Sequence, residues 1–287
     1  PRSPRLPSMP RPIALIALLV ALALGTARAQ TPSHGLVLAV EDTMRTEVPE
    51  VAVRARRVTI DEILDRVARG EARRDSLMHD QTFTATLRVM RNTVGSATPE
   101  LWSEIVNRVY KRKPDQVRAV ELRRYERKAD DDSDGPTFTP GMGEQIVNFA
   151  FRPENRARYR FTIEDRRILG DHLVYTLGFE PRSSLTPYEP RGRVWVDTQD
   201  DVILRQELSF AASPVPLLVK RIPHMVVERT RVGDTWVLSR VMARIEFTVP
   251  LPKLGRSVDF AMLMSDHAID TGLPDSLFTT SSRGSAR

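Results

Sequence analysis

There is no cysteine among the 287 residues. Thiol nucleophiles, cysteine-based zinc sites and iron–sulfur clusters are therefore excluded, and so is a lipid-modified N-terminal cysteine. A chain this long without disulfides must hold together by burying a core, which a domain above about 200 residues can do. Long apolar runs are missing too. Ile13 to Leu24 is the apolar stretch of the N-terminus, and its roughly 12 residues fall short of the roughly 20 that span a bilayer. No Gly-x-Ser-x-Gly is present, so the sharp serine turn of the α/β-hydrolases is absent. The five histidines, His34, His79, His172, His224 and His267, show no pair at helical metal-binding spacing.

Acids are also missing from the first 29 residues, where Arg2, Arg5, Arg11 and Arg28 supply the only charge. Arg11, the apolar run and Ala27-Arg28-Ala29 read as a secretory signal peptide with cleavage expected after Ala29, the residues before Met9 being an upstream extension. The whole chain carries 43 basic and 37 acidic side chains, but from residue 30 onward the balance is 39 to 37. Its apparent basicity is mostly targeting signal, so a nucleic-acid partner is not expected. The expected location is periplasmic or secreted, and the protein is not expected to be transmembrane.

What is present is sheet grammar. Residues 30–58 form a mixed N-terminal segment in which Leu36 to Val40 and Val51 to Val58 are candidate short strands. Thr59-Ile60-Asp61-Glu62 is a capping box. It opens an amphipathic helix with Ile60, Ile63, Leu64 and Val67 on one side, ending between Gly70 and His79. Phe83, Ala85, Leu87 and Val89 then alternate with threonines, as in a half-buried strand. Leu101 to Arg112 and Gln116 to Arg127 continue the pattern around a Lys113-Pro114-Asp115 turn. Gln145 to Phe151 is apolar and of undecided type. Further strands are expected at Arg158–Glu164, Leu173–Phe179, Gly192–Asp197, Val202–Phe210, Leu217–Thr230, Thr235–Val249 and Leu254–Ser265. That makes nine to eleven strands of an all-β sandwich or barrel, with 272–287 a flexible tail.

Candidate chemistry is sparse. Asp130, Asp132, Asp134 and Gly135 start like a calcium loop, but Gly141 stands where the bidentate glutamate belongs, so the stretch reads as a solvated acidic loop. Gly141-Met142-Gly143 lacks the third glycine and the preceding strand of a dinucleotide site. Asp197 and Glu207, on neighbouring strands, have the residue types of a glycosidase pair, yet beside Arg193 and Arg205 they read as cross-strand ion pairs. The histidines read as surface residues. No catalytic residue, metal site or cofactor is expected, and the protein is not expected to be an enzyme.

The alternation leaves an extensive apolar face formed by Leu173, Tyr175, Leu177, Phe179, Val194, Val196, Leu204, Leu208, Phe210, Val241, Ile245 and Phe247. One helix is too small to cover it. Either the sheet curls into a filled core, or it closes incompletely around a cavity whose tenant is apolar and extended. Gly192-Arg193-Val194-Trp195-Val196-Asp197 followed by Ile203-Leu204-Arg205-Gln206-Glu207, with the early helix and the long meander, resembles the LolA-like group of periplasmic lipoprotein carriers and outer-membrane lipoprotein-sorting proteins. The resemblance covers Thr59 to Asp270, within a domain set at 59–271. It implies a mainly β fold with few helices, a large curved antiparallel sheet forming a half-open barrel with the early amphipathic helix packed against it. It implies non-catalytic binding of a lipid or lipoprotein acyl chain, for which the twelve apolar positions are the cavity candidates. The alternative is an envelope structural or interaction module with a filled core and a protein partner.

Overall fold

A computed structural model describes residues 58–92, 98–127, 149–183, 189–210, 212, 219–251 and 254–279. The candidate strand Leu36 to Val40, all but the last residue of Val51 to Val58, and the acidic loop at 130–134 lie outside these residues.

Helix α1 spans Ile60–Leu77, and the Thr59 hydroxyl accepts from the Glu62 backbone N–H at 3.3 Å, as the capping box requires. Its buried positions include Ile63, Leu64 and Val67. Full burial of an aliphatic side chain is worth about 1.5–3 kcal/mol. That stripe, more than helix propensity, fixes where α1 lies.

Ten strands follow: β1 (Asp80–Arg91), β2 (Glu100–Arg112), β3 (Gln116–Glu126), β4 (Tyr159–Leu169), β5 (His172–Pro181), β6 (Pro190–Asp197), β7 (Val202–Phe210), β8 (Val219–Val232), β9 (Thr235–Leu251) and β10 (Gly255–Ile269). A single turn of helix, α2 (Pro153–Arg156), precedes β4. All ten strands form one antiparallel sheet in the order β3-β2-β1-β10-β9-β8-β7-β6-β5-β4. Two meanders, β1 to β3 and β4 to β10, are joined by the β1–β10 pairing. The sheet does not close. Its free edges are β3 and β4, which follow one another in the chain, so the chain passes from one edge of the sheet to the other between them. This is the expected fold class: mainly β, curved, open, with one substantial helix packed on β7 and β4.

The core gathers the inward face of the sheet, the α1 stripe and Phe149–Phe151. Residues 149–151, of undecided type in the sequence, form a turn. Phe151 lies 5.1 Å from Phe161 and 5.7 Å from Phe179 between ring centres, which anchors this turn on β4 and β5. The outward face is lined with cross-strand ion pairs, including Arg88–Glu104, Arg205–Glu228 and Arg244–Asp259.

One inward position differs from the simple alternation. A bulge sets Trp195 opposite Arg205 and Val196 opposite Ile203, so Leu204 has no partner on β6. Ile203 joins the core in its place, and Leu204 is only half-buried. Part of the stretch read as a flexible tail is tied down: Asp80 accepts from the backbone N–H groups of Thr271, Gly272 and Leu273, and Arg118 donates to the Leu277 carbonyl.

Two glycines are explained by close approach. A Cβ on Gly192 would meet the Glu207 carbonyl oxygen at 1.8 Å, and one on Gly70 would meet the Asp201 carbonyl oxygen at 2.1 Å. Gly70 therefore does not end α1 but seats it on the β6–β7 turn. Gly70→Ala in an isolated helix gains about 1 kcal/mol. Here it is expected to cost about 1–3 kcal/mol through overpacking. Urea unfolding measures this, and a stabilised variant would show that the helix is not seated on that turn.

A cleft at the open seam of the sheet

A cleft of about 740 Å3 lies between the C-terminal half of α1, the β2–β3 hairpin and the turn before β4. It therefore borders the hairpin that opens the β3 edge and the turn that leads toward the β4 edge. Val67, Ala68, Glu71 and Ala72 supply the helix wall, Met78 to Gln81 the floor at the start of β1, Lys111 to Val117 the hairpin wall, and Phe151 to Pro153 the wall at the β4 edge. Val67 and Phe151 belong both to the core and to the cleft wall.

The helix wall is fixed by charge as well as by packing. Arg229 projects inward from β8 and donates through Nη1 to Glu71 Oε1 at 2.5 Å and to the Ile203 carbonyl at 3.0 Å. The Ile203 N–H donates to the same carboxylate oxygen at 2.9 Å. Both side chains are almost wholly buried. Burial alone would push the Glu71 carboxyl up, but the Arg229 charge and hydrogen bond, with Arg74 and the Ile203 N–H, hold it below its ordinary value. Around this pair, Arg66 donates to Asp201 at 2.9 Å and to the Thr198 carbonyl at 2.7 Å, and Arg73 donates to the Asp200 carbonyl at 3.1 Å. Trp236 Nε1 donates to Asp200 Oδ2 at 2.7 Å, which braces the same turn from β9.

The twelve apolar positions nominated from the alternation lie elsewhere. Tyr175, Leu177, Phe179, Val194, Val196, Leu208, Phe210, Val241, Ile245 and Phe247 are buried in the core cluster, Leu173 packs against it, and Leu204 is displaced by the bulge. None of them lines the cleft. Asp197 and Glu207 do not converge: Asp197 is fully buried and accepts from the Gln199 N–H, while Glu207 pairs at 2.6 Å with Arg205 of its own strand β7, not across strands as the sequence suggests, and the cross-strand partner of Arg205 is Glu228 at 2.8 Å. Arg193 pairs instead with Glu164 at 2.6 Å.

His172 is not a plain surface histidine, because its Nδ1 lies 2.7 Å from Asp197 Oδ2 and its side chain is 19% exposed. Its other ring nitrogen is 3.3 Å from Asp171, and neither contact brings in a serine. His267 stacks on Phe83 at 5.6 Å and contacts Gln81 and the Met264 carbonyl. Burial pushes its imidazole pKa down. Among the described residues there is no group of three or more histidine or acidic side chains placed to hold a metal, and no helix is long and apolar enough to cross a membrane.

The Glu71–Arg229 pair escaped the sequence reading, although both halves left a signal. Glu71 falls four residues after Val67 on the buried side of α1, and Arg229 continues the inward alternation Met225, Val227. A charge on a buried stripe needs a buried partner.

No family model matches the chain, and no curated protein matches it. Solved structures do. A DUF1329 family protein from Desulfovibrio piger is 16% identical, with 76% of this chain and 96% of that one covered, at a TM-score of 0.41. A domain assigned to outer membrane lipoprotein sorting from Vibrio parahaemolyticus is 12% identical, covering 75% and 97%, at 0.39. A LolA superfamily protein from Nitrosomonas europaea is 13% identical, covering 78% and 99%, at 0.31. At such scores the likeness carries no functional argument.

Two outcomes follow from the buried pair. Arg229→Met strands the Glu71 charge and is expected to cost about 3–5 kcal/mol, whereas Glu71→Met combined with Arg229→Met restores most of the loss. The Glu71 contribution is complete above its ordinary value of 4.5 and is lost as pH falls through the lowered native value. Urea titrations across acid pH check both, and a double variant no more stable than Arg229→Met would contradict the pairing account.

Proposed function

We propose that this chain is a non-catalytic, exported envelope protein that binds one acyl-bearing amphiphile at the open seam of its sheet. The observation that carries the reading is the cleft itself: about 740 Å3, bordered by the hairpin that leads into β3 and the turn ahead of β4, and within the range of pockets that take a small-molecule ligand. Val67, Ala68, Met78, Val117 and Phe151 give it apolar walls, while its rim is charged. That division suits a molecule with an apolar chain and a polar end. Val67 and Phe151 are shared between the cleft wall and the core that holds the nominated apolar positions. Export is proposed from the arginine, the apolar run and the Ala27-Arg28-Ala29 site near the N-terminus.

A second reading is favoured by the edges. Val117 and Leu122 on β3, and Ile163 and Ile168 on β4, are exposed large hydrophobics on strands with one unpaired side. Such edges accept an added strand, as an envelope interaction module would use them.

Ala72 lines the cleft from an exposed position on α1, so Ala72→Trp fills space without disturbing the core. Fluorescence titration with a dansyl-labelled fatty acid is expected to show saturable binding to the native protein and at least about tenfold weaker binding to Ala72→Trp, with unchanged circular dichroism. Absence of binding to the native protein would remove the carrier reading and leave the edge-pairing module.

A further inference from the structure

The charges around the cleft are not evenly satisfied. Among its acids, Glu71 is taken by Arg229 at 2.5 Å, Asp75 by Arg74 at 2.5 Å, and Asp80 by three backbone N–H groups and the Thr271 hydroxyl. Arg112 is likewise engaged by Asp275 and the Leu273 carbonyl, with Phe278 beneath its guanidinium. Lys113, in the β2–β3 turn, and Arg152, just before α2, have no side-chain partner among the described residues. Asp115 is the acid there in the same condition. Two unpartnered cations thus face one unpartnered acid. The two cations come from turns far apart in the chain, one leading into β3 and the other ahead of β4, and border the same opening.

We infer that Lys113 and Arg152 form a split anion site, and that the amphiphile bound here carries a carboxylate or phosphate head held between them. This rests on the carrier reading and specifies its ligand. The physical reason is complementarity. Two like charges set on one cleft by two separate turns repel each other, and an anion between them removes the repulsion and gains two charge-assisted hydrogen bonds. A guanidinium supplies the forked, bidentate contact and an ammonium the point charge, a pairing suited to either oxyanion. The apolar wall of α1 then takes the chain attached to that head. Bridging also ties the β3 edge to the β4 edge, so the ligand itself would fasten the seam that the sheet leaves open.

The experiment compares a dansyl-labelled fatty acid with its methyl ester, on the native protein, on Lys113→Ala/Arg152→Ala and on Lys113→Glu/Arg152→Glu, with inorganic phosphate as competitor. Both cations are exposed, so the variants keep the core. The acid is expected to bind the native protein at least about tenfold more tightly than the ester, since a charged hydrogen bond is worth 1.5–3 kcal/mol and tenfold is about 1.4. The alanine pair should abolish that preference and leave ester affinity unchanged, the glutamate pair should reverse it, and salt should weaken the acid alone. Equal affinity of acid and ester for the native protein would overturn the split site while the carrier reading stands. Failure of both probes to bind would overturn the carrier reading as well. Inorganic phosphate that displaces the acid at comparable affinity would show a site for a free anion and overturn the amphiphile head.

Discussion

The buried contact between Glu71 and Arg229 is the constraint on which the remaining geometry depends. Two charges removed from water cost several kcal/mol each unless they meet with good geometry and further hydrogen bonds. Here the contact meets that condition, with Ile203 donating to the carboxylate and accepting from the guanidinium. One ion pair therefore fixes three elements at once: α1, the start of β7 and the far part of β8. Gly70 lets the helix backbone touch the β6–β7 turn, and Arg66 and Arg73 grip the same turn. α1 is thereby held on this side of the molecule, with the β2–β3 hairpin forming the wall of the cleft that faces it. The cleft is the space that this seating leaves.

The openness of the sheet has its own cause in the chain path. β3 and β4 are consecutive strands placed at opposite edges, and β10 returns to pair with β1 instead of leaving β1 as an edge. All ten strands are used without β3 meeting β4. The concave side is apolar and packed by α1 and the Phe149–Phe151 turn, while the convex side neutralises its charges across strands. The described residues so built present a charged back, an apolar interior and a mixed apolar and charged cleft. That asymmetry is what the proposed amphiphile binding rests on.

Much of this architecture is legible in the residues. Thr59 and Glu62 mark the helix start, Phe83, Ala85, Leu87 and Val89 mark β1, and the turn signals at Lys113-Pro114-Asp115 and Val232-Gly233-Asp234 fall between paired strands. Leu204 escaped because a bulge changes the parity of a strand without any signal in Val202 to Glu207. The end of α1 falls within the stretch from Gly70 to His79, but the seating of Gly70 against Asp201 does not show in the sequence, since contact across more than a hundred residues leaves no local trace. The cleft was illegible for the same reason. Its walls come from a helix, a hairpin and a turn far apart in the chain, and its polar members look like ordinary surface charge. The hydrophobic alternation is legible as the inward face of the sheet, because burial is what period-two patterning records.

The central claim is that the seam holds an acyl-bearing amphiphile, and native mass spectrometry of the protein beginning at Gln30, purified from a periplasm, tests it most directly. The account predicts a species heavier than the bare chain by one lipid or acylated molecule, which solvent extraction then releases for identification. A preparation that flies only as the bare chain, with an extract free of stoichiometric lipid, would contradict it.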